Sequence, residues 1–97
     1  MLRHVVLFTW KPGAPKTEIA AFADGLAALP DQVPGIRAFR FGPDARLGGG
    51  NEDFAIVADF DDEDAFRLYA EHPAHRHLIA TLLMPLLGSR HAVQFVT

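Results

Sequence analysis

Residues 2–10, Leu2-Arg3-His4-Val5-Val6-Leu7-Phe8-Thr9-Trp10, are rich in β-branched and aromatic side chains and run into the turn signal Lys11-Pro12-Gly13. The stretch reads as a strand. Alternation places Val5 and Leu7 on one face and His4, Val6, Phe8 and Trp10 on the other. A second stretch of the same kind, Phe54 to Phe60 (FAIVADF), sets Ala55 and Val57 against Phe54, Ile56, Ala58 and Phe60. Both strands are therefore apolar on both faces.

The elements around these two strands follow from spacing. Between Pro15 and Leu29 the residues Ile19, Phe22, Leu26 and Leu29 recur every three or four positions, which predicts a helix that Pro30 and the Val33-Pro34-Gly35 group break. Ile36 to Gly42 alternates as a strand, and Asp44 to Asp53 is a hairpin connection. Its Gly48-Gly49-Gly50 lacks the lysine and helix start that a phosphate-binding loop needs. Asp61-Asp62-Glu63-Asp64 supplies a capping aspartate and an acidic first turn for a helix through Phe66 and Tyr69. That helix ends at His72, because a residue before proline resists helical geometry. A further helix from Ala74 carries Leu78, Ile79, Leu82, Leu83 and Leu86 and stops at Gly88, and Arg90 to Val96 is the last strand. The order strand, helix, strand, strand, helix, strand predicts an α+β ferredoxin-like sandwich over residues 1–97, a single domain.

Composition narrows the class. A net charge of -3 and a pI near 5.9, with no basic cluster, argue against nucleic acid as a partner. No apolar run approaches the roughly 20 residues that cross a bilayer, so no membrane partner is expected. The absence of cysteine removes disulfides and thiolate metal sites. The first apolar run is too short for a signal peptide, and a cytoplasmic location is expected.

With 49% hydrophobic residues, the chain carries more apolar surface than one small domain hides easily. The helices cover only one face of the sheet. Leaving Val6, Phe8, Ile56 and Phe60 bare would forfeit about 1.5–3 kcal/mol for each side chain. The open sheet face is therefore expected to close against a second copy, giving a homodimeric α/β barrel with a space between sheet and helices. His4 belongs to the inward face, where an imidazole needs a hydrogen-bond partner or a chemical task.

Titratable chemistry concentrates in Tyr69-Ala70-Glu71-His72-Pro73-Ala74-His75-Arg76-His77, which holds three of the five histidines. The proline resets the backbone, so that Tyr69, His72 and His75 can approach one space. Imidazole suits proton transfer near neutral pH, and a phenol can donate to a developing oxyanion. Helix capping is the competing role for these histidines. His77 is assigned to the surface. No carboxylate stands at matching helical spacing, so no metal site is expected.

The opening Arg3-His4-Val5-Val6-Leu7-Phe8, the Lys11-Pro12-Gly13 turn, the pairs Leu29-Pro30 and Pro34-Gly35, and above all Tyr69-Ala70-Glu71-His72-Pro73-Ala74-His75 resemble the stress-responsive dimeric α/β barrel (Dabb) family over essentially the whole chain. The resemblance implies a homodimer with one pocket per subunit, lined by His4 and the residues around His75. In plant polyketide cyclases of that family a tyrosine and a histidine matching Tyr69 and His75 act as acid and base in an aldol closure. Those cyclases also carry a histidine on the third strand, where this chain has Phe54.

The functional expectation is thus a cofactor-independent cyclase or lyase acting on a small apolar or aromatic carbonyl compound. Tyr69 and His75 are the candidate catalytic pair, and His4, Val6, Phe8, Phe22, Ile56, His72, Leu78 and His91 are the candidate substrate contacts. Two alternatives share the fold: a ligand-binding, stress-related barrel without turnover, and a monooxygenase-like barrel.

Overall fold

The computed structural model describes all 97 residues, Met1–Thr97. Strand β1 spans Leu2–Trp10, helix α1 Lys16–Gln32, β2 Ile36–Pro43 and β3 Phe54–Phe60. Helix α2 spans Glu63–Glu71, α3 Pro73–Leu78, and β4 Leu87–Val96. A π-helical turn, Ile79–Leu83, continues α3. The four strands form one antiparallel sheet in the order β2-β3-β1-β4, with β1 and β3 at its centre. This is the expected ferredoxin-like α+β fold.

Several local readings hold atom by atom. The Asp62 side chain accepts from the Ala65 backbone N–H at 2.9 Å and starts α2. His72 sits in extended geometry between α2 and α3 (φ -63°, ψ 135°), as the following proline requires. The connection after β2 is a hairpin closed by Asp44 N–H to Asp53 O at 2.9 Å, and Asp53 ties it to β1 by accepting from Trp10 N–H at 2.8 Å.

Two proline and glycine expectations are corrected. Pro30 lies inside α1, which runs on to Gln32. Loss of one N–H is tolerated in this last turn because Leu29 and Val33, each 1% exposed, anchor it in the core, and Val33 N–H bonds Leu29 O at 2.9 Å. Gly88 is not a helix terminator either, since it already belongs to β4. A Cβ there would lie 2.8 Å from the Thr9 carbonyl oxygen and 3.0 Å from the Trp10 backbone, beside the bulge where β4 leaves register with β1. Close backbone approach, not capping, demands glycine at this point.

The faces of the sheet also differ from the expectation. Val6, Phe8, Ile56 and Phe60 are 4%, 1%, 3% and 0% exposed within the single chain, under its own helices. The face the helices leave bare carries Val5, Leu7, Ala55 and Val57 from the central strands, with the exposed Val93 and Phe95 from β4. Both faces are apolar, as read, but the residues that need an outside cover are this second set. Arg3 and Asp59 form a two-bonded ion pair on that face, at 2.8 and 2.9 Å.

Under the helices the core joins Phe8, Phe22 and Phe54 from sheet and α1, with Phe60 and Tyr69 towards α2. Gly25 of α1 lets α3 pack closely, because a Cβ there would fall 2.5 Å from a Leu78 methyl.

Candidate functional site

A cavity of about 240 Å³ lies between the inner face of the sheet and the segment from α2 through the π-helical turn. Its volume falls just below the roughly 300–1,000 Å³ common for ligand sites, so it suits a small molecule. Eleven of its fifteen lining residues are hydrophobic. The polar members are few, and they are what gives the space its chemistry.

His4 enters from central strand β1 and is 5% exposed. The Gln94 side-chain amide, opposite it on β4, donates to His4 Nδ1 at 2.9 Å, which leaves the proton of the neutral ring on Nε2. Burial, followed by the positive charge of Arg90 and the neighbouring His75, holds the His4 pKa down at about 4. Its ring packs 5.0 Å from Phe66 and 6.5 Å from Tyr69, centre to centre.

Tyr69 comes from α2 and is 3% exposed. It makes no hydrogen bond within the chain, yet no buried side-chain polar atom lacks a partner, so its hydroxyl opens into the cavity. Burial pushes its pKa up to about 12, although Arg90 pulls the other way, so Tyr69 is a hydrogen-bond donor throughout the neutral range.

His75, on the first turns of α3, stands 4.3 Å from Tyr69 between ring centres. Its Nδ1 lies 3.2 Å from the Ala70 carbonyl oxygen. A carbonyl only accepts, so Nδ1 carries the proton in the neutral ring and Nε2 keeps its lone pair free. Burial lowers the His75 pKa below the imidazole norm; the Ala70 hydrogen bond opposes this, while Arg90 and His72 add to it. The site therefore presents one imidazole nitrogen with a free lone pair, one protonated hydroxyl and a second neutral imidazole around a largely apolar space.

Of the candidate contacts, His4, Val6, Phe8 and Ile56 line the cavity together with Tyr69 and His75, and four do not. Phe22 is 0% exposed and packs among Phe8, Trp10 and Phe54 behind the cavity wall. Leu78 fills the α1–α3 contact at Gly25. His72 caps α3, its Nδ1 accepting from Ala74 N–H at 3.1 Å. His91 is exposed on the opposite sheet face, its Nδ1 2.8 Å from Glu52. His77 is exposed, as expected.

Sequence reasoning passed over Arg90 and Gln94, which also line the cavity. They pair with Phe8 and His4 across the sheet and so share the inner face. Alternation along RHAVQFV was the available signal, since it separates Arg90 and Gln94 from His91. The third-strand residue that faces the cavity is Ile56, whereas Phe54 is buried away from it. A larger, shallower groove of about 560 Å³ adjoins the cavity and shares Phe66, Ala70 and Gln94 with it. That groove contains no histidine.

The buried histidines set a pH dependence of folding. A base whose folded pKa lies below its unfolded value binds fewer protons when folded, so stability is complete above the unfolded value and falls as pH drops towards the folded one. For His4 this window runs from about 6.5 down to about 4, and His75 acts in the same direction. Urea denaturation at fixed protein concentration is expected to show declining stability over this range, with a shallower decline in His4→Gln. Identical slopes in the two proteins would contradict the assignment.

Comparison with known proteins agrees with the fold. An uncharacterized protein of Streptomyces coelicolor is 34% identical over 82 residues, covering 82% of this chain and 84% of its own. A solved structure described as a dimeric ferredoxin-like protein of unknown function from Thermobifida fusca is 41% identical, with a TM-score of 0.91 over 99% of this chain and 90% of its own. Hydroxynitrile lyase from Passiflora edulis shares the fold, with a TM-score of 0.85 at 17% identity over 99% of this chain and 92% of its own. Residues 2–97 match the Stress responsive A/B Barrel Domain, and the chain belongs to that family, Dabb.

Proposed function

We propose that this protein is a homodimer whose cavity binds a small apolar or aromatic carbonyl compound and acts on it by cofactor-independent acid–base chemistry, as a cyclase or lyase. The observation that carries the reading is the pairing of Tyr69 and His75, 4.3 Å apart in one apolar cavity, with the His75 tautomer set by the Ala70 carbonyl.

In an aldol closure the His75 Nε2 lone pair takes the proton from the carbon next to a carbonyl. The resulting enolate carbon attacks a second carbonyl of the same molecule, forming a carbon–carbon bond. The new alkoxide takes the Tyr69 proton, and the imidazolium returns its proton to the phenolate, so both side chains end as they began. A lyase uses the same pair in the reverse sense.

The homodimer is supported by the apolar face that the helices leave bare and by the Thermobifida fusca relative, which is described as dimeric. A cytoplasmic location is in keeping with a chain that has no cysteine.

The test combines assembly and turnover. The wild-type chain is expected to sediment as a dimer at micromolar concentration, and Val5→Lys, on the bare face, as a monomer. Incubation with linear polyketide-like and aromatic carbonyl compounds, followed by mass spectrometry, is expected to show conversion that Tyr69→Phe and His75→Ala lose without loss of the dimer. Ligands that bind at His4 and His75 but are returned unchanged would instead support a binding barrel without turnover.

A further inference from the structure

Arg90 is the one formally charged side chain on the wall of the cavity, where the other titratable groups are His4, Tyr69 and His75. Four of the chain's arginines are committed to carboxylates: Arg3 to Asp59, Arg37 to Asp61, Arg46 to Asp44 and Asp53, and Arg67 to Glu63. Arg90 makes no ion pair and no side-chain hydrogen bond. No Asp or Glu lines the cavity, although the chain as a whole is acidic.

This arrangement leaves an exposed guanidinium fork on the wall of a cavity whose lining is mostly apolar. A cation without a counter-charge beside a largely apolar wall favours a ligand that brings its own negative charge, and the planar fork matches the two oxygens of a carboxylate. We propose that the cavity selects ligands with an apolar body and a carboxylate, and that Arg90 is the residue that binds the carboxylate.

The assignment rests on the cavity being the ligand site, and adds the charge class of what enters. Its position supports the division of labour. Arg90 stands opposite Phe8 and Gln94 opposite His4, four residues along the same strand, so the two polar contacts from β4 are separated by about 13 Å of strand. A carboxylate on Arg90 leaves the apolar body to extend along the inner face towards Tyr69 and His75. The reach of the Arg90 charge across this space is seen in its influence on all three of His4, Tyr69 and His75.

The experiment titrates wild-type protein and Arg90→Gln with benzoate and with benzamide, two probes of nearly equal shape that differ in charge. Binding is followed through the histidine ring resonances by NMR at pH 7.5. Wild type is expected to bind benzoate about tenfold more tightly than benzamide, the worth of one charge-assisted contact in a partly hydrated setting. Arg90→Gln is expected to bind both alike, through a loss confined to benzoate. Equal affinities in the wild type, or a preference that survives in Arg90→Gln, would overturn the role of Arg90 while leaving the cavity as a ligand site. Failure of both probes to move the His4 and His75 resonances would overturn the cavity reading itself, and the carboxylate assignment with it.

Discussion

Replacing His75 by alanine is expected to lower turnover of a carbonyl substrate by about 10²–10⁴-fold, the usual worth of one positioned base. The side chain can be removed without disturbing the sheet, because its one internal polar contact is to the Ala70 carbonyl one helical segment away. Circular dichroism and sedimentation should therefore match the wild type while initial rates fall. His75→Asn tests position against basicity: its amide nitrogen stands where Nδ1 does and keeps an N–H donor for the Ala70 carbonyl but supplies no basic nitrogen, and it should be as slow as the alanine variant.

The pH profile carries independent information. His75 must be unprotonated to act as base, and burial holds its pKa below the ordinary imidazole value of 6.5. The acid limb of kcat/KM should therefore lie below pH 6.5. Tyr69 must keep its proton, and with a pKa of about 12 it imposes no loss through the mildly alkaline range. A rate that falls already between pH 7 and 8 on acidification, or a His75→Ala variant that retains full turnover, would remove His75 from the reaction.

The largest effect on stability is expected at Phe22. Its side chain is 0% exposed, and its ring centre lies 6.0 Å from Phe8, 6.0 Å from Trp10 and 5.7 Å from Phe54. These partners belong to two sheet strands and cannot follow α1 inward when the ring is removed. Phe22→Ala should thus leave a cavity and cost about 3–5 kcal/mol. In a domain of this size each kcal/mol moves the melting midpoint by roughly 4–8 °C, provided protein concentration is held constant. Urea melts should show a lower midpoint at unchanged slope. A cost below about 1 kcal/mol would mean that the aromatic cluster is not the rigid centre of the fold.

The same residue illustrates how far a sequence can be carried. Helical spacing identified Phe22 as apolar and inward, which is correct, but spacing does not say whether an inward side chain meets a cavity or a packed wall. Leu78 was placed in the cavity for the same reason, and the structure instead seats it on Gly25. His72 and His75 looked equivalent along the chain. Three-dimensional placement separates them, because the extended His72 backbone returns its ring to the Ala74 N–H, whereas His75 is turned towards Tyr69.

What the chain determined by itself was local. The order of elements, the start of α2 at Asp62, the break at His72-Pro73 and the apolar character of both sheet faces follow from backbone preferences and alternation, which act over a few residues. Tertiary structure decided which apolar face the helices cover, that Pro30 stays within α1, that Gly88 faces backbone, and that Arg90 and Gln94 line one cavity with His4, Tyr69 and His75. Each of these depends on groups far apart in sequence. Period-two alternation sorts a strand's side chains into two sets, but only the packing of helices from elsewhere in the chain makes one set the inside.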